Sequence, residues 1–385
     1  MTTTVVRAVS SPSFLALVPH LLECTPRRSL AVVPFAKGRS LGAMRVDLPP
    51  EGDSALAEGV ASTVLGMACK VARTDAIAVA VYTDDGLAPG APLPSTALVE
   101  AVRSRAGICG IRIIDALVVS PDGWASYLDP ERTPHPLWEI QDAATPGLEP
   151  DVRSDQVAAA ALPPGDEETS RGIVRLLDDA ELALRATRDR RRLSPARRRS
   201  AEAVVAGLAD PPALFESAVT VPWTEGDLTR LAAMAFCLER PSLRDVALMQ
   251  WTGDLATGDA VFQAQTAYRA GVPVPEDLAR PMWGEGARPR PARLSAGLDV
   301  CRRVAAVLPP ERRPGPLAAC AWLAWASGRA SHSAAYAEQA LAIDPQHGLS
   351  GIMLELVDSG RLPEWVFERP TSPAGTGSSR GSRAR

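Results

Sequence analysis

Lysine is nearly missing from this chain: Lys37 and Lys70 are the only two among 41 basic residues, the rest being arginine. With abundant Ala, Pro and Gly, that balance reads as the codon bias of a GC-rich genome rather than as a function. Aromatic residues make up 5% and histidines number four, so base-stacking platforms and histidine-rich metal sites have little to draw on. His20, His135, His332 and His347 lie far apart, and a zinc site would need them to converge. There is no G-x-x-x-x-G-K-[ST] phosphate loop and no H-E-x-x-H pair, and the G-x-S-x-G spelled by Gly377–Gly381 lies in the polar C-terminal stretch without the strand that an elbow follows. Gly284-Glu285-Gly286 lacks both the third glycine and the strand of a dinucleotide fingerprint. These absences disfavour the motif-bearing enzyme classes.

The six cysteines include no C-x-x-C pair and read as buried free thiols in a reducing cytosol. The first residues, MTTTVVRAVSSPS, lack the basic-then-apolar order of a signal peptide, and no apolar run reaches the roughly 18–20 residues of a membrane span. The expectation is a soluble, cytoplasmic protein without a membrane partner. A net charge of −4 predicts no strong attraction of the whole chain to nucleic acid or anionic lipid.

What is present divides at about residue 150. In 1–150, β-rich runs alternate with helical patterns. Val5–Val9 reads as a first strand, and Ser10-Ser11-Pro12 opens a helix that Pro19 is expected to break. Ser29–Ala36 and Arg39–Leu48 read as a hairpin around Lys37-Gly38. A helix over Glu51–Lys70, an apolar central strand over Thr74–Tyr82, a helix over Ser95–Ala106 and strands over Ile111–Val119 and Trp124–Leu128 complete it. The order predicts a three-layer α/β domain with a mixed sheet. Pro130–Pro150 reads as a surface excursion.

Beyond Asp151 strand signals stop, and 151–368 reads as an all-α domain. Helices are expected at Asp166–Arg192, Pro195–Ala209, Glu225–Leu238, Ser242–Trp251, Asp259–Ala270, Pro291–Val307, Gly315–Ser327, Ser331–Ile343 and Leu349–Ser359. Leu317–Ala326, Gly328 and Ala340–Pro345 look like one tetratricopeptide (TPR) helix pair, although Ala324 and Ala337 stand where tyrosines are common. The reading is a TPR-like helical array. Residues 369–385 read as a disordered tail.

Several motifs of the first half carry a resemblance. They are Ser11-Pro12, Val18-Pro19-x-Leu21-Leu22, Pro26-x-x-Ser29-Leu30-x-Val32-Val33, Arg45-Val46-Asp47-Leu48-Pro49, Tyr82-Thr83-Asp84-Asp85, and Asp115-Ala116-Leu117 through Asp122-Gly123-Trp124 to Ser126-Tyr127. Together they resemble the actinobacterial family DUF4192, which brings no assigned activity, so the resemblance implies the domain plan alone. Glu23-Cys24 departs from it, standing where the family tends to carry Gly and an aromatic.

The strongest candidate site is Thr83-Asp84-Asp85-Gly86, directly after the central strand, where open α/β sheets bind ligands. Asp84 and Asp85 could share a divalent metal such as Mg²⁺, although no cofactor is evident from any motif. If the Val5–Val9 strand ran parallel to that strand, Ser10, Ser11 and Ser13 would reach the same edge, and their helix N-terminus could receive an anion. The competing reading is a plain β-turn. Arg45 and Asp47, on a hairpin strand, read as a structural ion pair or cap. Trp124 and Tyr127, three apart, should face opposite sides of the sheet.

The arginine run Arg185–Arg199 is the one candidate nucleic-acid patch. It lacks interleaved aromatics and follows acidic stretches at Asp166–Glu168 and Asp178–Glu181, so a solvated helix junction is the stronger reading. In the helical half, Trp322 and Trp325 could anchor a protein partner in a groove, with core packing as the alternative. Function therefore reads first as a non-catalytic binding or regulatory protein that holds a partner through its helical half. The second reading is a small-ligand or nucleotide-binding α/β domain, or metal-dependent enzyme, working at Asp84 and Asp85.

Overall fold

A computed structural model describes residues 8–71, 73–88, 90–143, 155, 158–185, 193–224 and 226–368. The first half builds one mixed sheet from β1 (Ser29–Ala36), β2 (Arg39–Ser40), β3 (Met44–Asp47), β4 (Ala76–Tyr82), β5 (Arg112–Ser120) and β6 (Gly123–Ser126). Strand order is β2-β1-β4-β5-β6, with β3 also paired to β1. β4 and β5 run parallel, and the other pairs are antiparallel.

β4 explains the layering. Its sequence, Ala-Ile-Ala-Val-Ala-Val-Tyr, is buried throughout, and its period of two sorts large from small side chains. Ile77, Val79 and Val81 face α2 (Ser54–Lys70) and α3 (Thr96–Ile108), where Ala61, Val64, Leu65, Leu98 and Val102 meet them. Each such fully buried aliphatic side chain contributes about 1.5–3 kcal/mol. Ala78 and Ala80 face α1 (Ser11–Leu22), which inserts Phe14, Leu15 and Val18 against them. The short α4 (Trp138–Asp142) lies beside α1. Helix, sheet and helix are the three expected layers. Trp124 packs on the α1 side and Tyr127 on the α2 side, as their spacing predicts.

Three expectations change. The Val5–Val9 strand lies outside the described residues except for Ala8 and Val9, which are not in a strand. α1 runs unbroken through Pro19, because a proline in the last turn removes only one backbone hydrogen bond while Val18 beside it is fully buried. It ends at Glu23, whose φ of 58° is the left-handed cap in which glycine is the usual residue. The hairpin forms, with both Lys37 (φ 50°) and Gly38 (φ 73°) left-handed, but its return strand splits into β2 and β3 around Gly42 (φ 122°).

The second half is helical: α5 (Glu167–Arg185), α6 (Pro195–Gly207), α7 (Pro211–Thr220), α8 (Leu228–Leu238), α9 (Pro241–Thr252), α10 (Leu255–Tyr268), α11 (Glu276–Ala279), α12 (Pro291–Val307), α13 (Pro314–Ala326), α14 (Ala330–Ile343) and α15 (Gly348–Asp358). Sequence reading missed α7. Its Pro211-Pro212 looks like loop, yet prolines in a first turn lack only N–H groups that have no helical partner, and Asp210 caps the Ala213 N–H at 3.0 Å. α8 begins at Leu228 rather than at residue 225, because the Asp227 carboxylate turns back to accept from the Thr224 N–H at 3.0 Å.

α13 is the centre. All thirteen of its residues are buried, as expected of a helix apolar on every side. α12 and α14 flank it, and Gly328 (φ 79°) turns α13 back into α14. After α15 the chain returns to the first half, where Leu362 and Phe367 pack on the α2–α3 core.

Candidate functional site

Residues chosen from the sequence are placed as follows. Ser10 caps α1 and Ser13 closes a reciprocal capping box with it, the Ser10 N–H donating to Ser13 Oγ at 2.9 Å. Ser11 Oγ donates to Asp115 Oδ2 at 2.6 Å. Asp115 pairs with Ala78 early in β4, whereas Asp84 and Asp85 follow Tyr82 at its far end. Six residues of strand rise separate the two groups by roughly 20 Å. The serines and the aspartates therefore do not share a site, because α1 starts near one edge of the sheet and descends to the other.

Thr83-Asp84-Asp85 folds as a turn whose polar groups serve one another. Thr83 Oγ1 accepts from the Asp85 N–H at 3.1 Å and donates to Asp85 Oδ2 at 3.0 Å. The Asp84 carboxylate meets Arg27 at 3.6 Å, both groups being more than half exposed. Ser120 donates to the Asp85 carbonyl and to Asp122 Oδ1, and Asp122 accepts from the Leu87 N–H at 3.1 Å. The Ser120 hydroxyl and that N–H hold the Asp122 carboxyl below the usual carboxylate range. Among the described residues no three His, Cys, Asp or Glu side chains group to hold a metal.

Trp322 and Trp325 are buried at 1% and 0% exposure, and their indole N–H groups donate to the carbonyls of Met282 (3.1 Å) and Arg361 (2.8 Å). Both sit in the core of the helical half, out of reach of a partner. Of the arginine run, 186–192 lie outside the described residues, and Arg197 is paired to the buried Asp179, with Nε to Oδ2 at 3.0 Å.

The feature that sequence reading did not find is a cleft of about 1150 Å³ between the two halves. One wall is the edge strand β3, backed by α2 on one face of the sheet and the end of α1 on the other. The facing wall is α14, with the segment after α15 closing one end. β3 has no strand on its outer side among the described residues. The Leu48 N–H donates to the Arg28 carbonyl at 3.0 Å, so antiparallel alternation directs Val46 and Met44 toward β1. The backbone N–H and C=O groups of Arg45 and Asp47 consequently point outward, into the cleft.

Side chains along β3 divide the cleft chemically. Met44 and Val46 face the α2 side, joined there by Leu56, Val60 and Met67. Arg45 and Asp47 face the α1 side, where Glu23 meets Arg329 at 2.6 Å. Arg45 is one of four arginines that line the cleft, and its side chain is only 8% exposed. Its Nη1 donates to Asp47 Oδ1 at 2.7 Å, and its Nε crosses the cleft to Ser331 Oγ at 2.8 Å. The expected Arg45–Asp47 pair is therefore present, with a third partner. Cys24 is buried behind Arg45, and that burial pushes its thiol up.

The family's sequence model, described as "Domain of unknown function (DUF4192)", matches residues 12–364, nearly the whole chain and both walls of the cleft. The chain belongs to the DUF4192 family. No curated protein and no solved structure matches it. In this DUF4192 chain no helix among the described residues is long and apolar enough to cross a membrane.

Proposed function

We propose that this protein is a non-catalytic binding protein whose cleft receives an extended segment of a protein partner as an added strand on β3. The observation that carries the reading is the outward-facing backbone of Arg45 and Asp47 on an edge strand that lines a cleft of about 1150 Å³. Open edges are ordinarily covered or blunted, and strand addition is a common way of using one. Main-chain hydrogen bonds supply affinity in such complexes, and alternating side-chain pockets supply selectivity.

The cleft specifies the partner's chemistry. An added strand continues the alternation of β3, so its apolar side chains would meet Leu56, Val60 and Met67 while its charged ones meet Glu23, Arg329 and Asp47. Alternating apolar and charged residues over about five positions, the usual strand length, is the segment that fits. The α13–α14 hairpin serves as the TPR-like unit that presents the facing wall, in place of a groove anchored by tryptophans.

Selection of peptides from a displayed random library on the full-length protein tests this. Enriched sequences are expected to share the alternation and to lose binding in Asp47→Pro, which removes one outward N–H at a position an edge strand tolerates. Val60→Lys should also abolish binding by filling the apolar side. No enrichment above the Asp47→Pro control, with both proteins folded, would overturn the reading.

A further inference from the structure

Four of the six cysteines, Cys24, Cys237, Cys301 and Cys320, are buried, as is usual for free thiols. Cys69 and Cys109 are exposed, and the Cys109 thiol lies close enough to Cys69 to act on its ionisation. Cys69 lies in the last turn of α2 and Cys109 caps the end of α3. The two helices pack side by side on one face of the sheet, each ending beside the start of the strand it feeds. Packing that buries the other thiols thus leaves the exposed two as neighbours, on adjacent helix ends that the sheet holds in place.

We propose that Cys69 and Cys109 form a reversible dithiol–disulfide site, oxidised by hydroperoxides and reset by small thiols. In the first step one thiolate attacks a peroxide oxygen. The O–O bond breaks, a sulfenic acid forms, and the other oxygen leaves as water or an alcohol with the thiol's proton. The second thiolate then attacks the sulfenic sulfur, the S–S bond forms, and hydroxide leaves to become water with the second proton. Two electrons pass from the cysteines to the peroxide. Resetting consumes two small thiols, which leave as their own disulfide.

Partial burial and the neighbouring Cys109 thiol push the Cys69 thiol up, so thiolate is scarce and oxidation is slow. The site suits sustained oxidation rather than rapid peroxide removal. Its reach extends to the cleft, because α2 also supplies Thr63 and Met67 to the cleft wall. A link between the ends of α2 and α3 would hold that wall in one position.

The full-length protein treated with hydrogen peroxide tests the proposal. Trypsin digestion without reductant should yield the peptide ending at Lys70 joined to peptide 106–112, lighter by two hydrogens and separated by dithiothreitol. The joined product should run as a monomer, vanish in Cys69→Ser and in Cys109→Ser, and protect the α2 end from hydrogen exchange. Both substitutions are at exposed positions and should leave folding unchanged. Before oxidation, dibromobimane should bridge the same two thiols, giving a direct check of their proximity. Separate conversion of each to sulfinic acid, links formed only between molecules, or failure of the bimane bridge would overturn it.

Discussion

Arg45 and Ser331 stand 286 residues apart in sequence and 2.8 Å apart in space, one on the edge strand of the sheet and the other in the first turn of the α14 wall. The guanidinium spans the cleft and ties the two halves of the chain together. Its remaining bonds, to Asp47 and to Ser29, keep that largely buried charge on one bearing.

Replacing Arg45 by Met should therefore destabilise the protein by about 1.5–3 kcal/mol, the usual contribution of hydrogen bonds to a charged group, and Ser331→Ala by about 1 kcal/mol. Urea unfolding of both single variants and the double variant should show coupling of at least about 0.5 kcal/mol. Additive losses would mean that the contact across the cleft contributes nothing.

At Gly315, helix propensity and packing point in opposite directions. Glycine inside a helix costs about 0.5–1 kcal/mol relative to alanine, so propensity alone predicts that Gly315→Ala stabilises. A Cβ there would lie 2.4 Å from the Leu238 carbonyl oxygen, which is backbone and cannot swing aside. The expected outcome is a loss of about 1–3 kcal/mol, read as a lower denaturation midpoint.

Trp325 separates a core role from a binding role. Trp325→Phe should cost about 1 kcal/mol through loss of the bond to the Arg361 carbonyl, and Trp325→Ala about 3–5 kcal/mol. Peptide capture should fall only as far as the folded fraction does, measured on the same samples by circular dichroism and binding.

Asp84→Asn and Asp85→Asn should change stability by no more than about 0.5 kcal/mol, as surface substitutions usually do. The double variant should also respond to Mg²⁺ in a thermal-shift series as the native protein does. A magnesium-dependent stabilisation lost in that variant would establish a ligand site at the turn.

Glu216 gives a pH dependence of known sign. Arg293 donates to both of its carboxylate oxygens at 2.7 Å, and with Gln250 holds the carboxyl below the usual glutamate range. A folded-state value below the unfolded one means that the stabilisation is full above the ordinary glutamate range and is lost as pH falls through the depressed value. Arg293→Gln should flatten the acid limb of the stability–pH curve relative to the native protein.

Much of the fold was written locally. The Ala-Ile-Ala-Val-Ala-Val-Tyr run carries its own two-sided burial, Lys37-Gly38 its hairpin turn, and Ser10 and Ser194 their helix starts, because each depends on residues within a few positions. The helix carries on through Pro19 because only one hydrogen bond is lost there beside the buried Val18, and an unforeseen helix starts at Pro211 because a first-turn N–H has no helical partner to lose.

The composition and periodicity of the chain by themselves determined an α/β half followed by a helical half, and the residues that face each core. Tertiary structure alone decided the cleft, the outward edge of β3, the Arg45–Ser331 tie, the placing of Cys69 and Cys109 on neighbouring helix ends and the separation of Ser11 from Asp84. Secondary structure is set by neighbours within about one turn or one hairpin, and it repeats in ways that a sequence displays. A contact between residues far apart along the chain depends on how whole layers stack, and no period or motif records that.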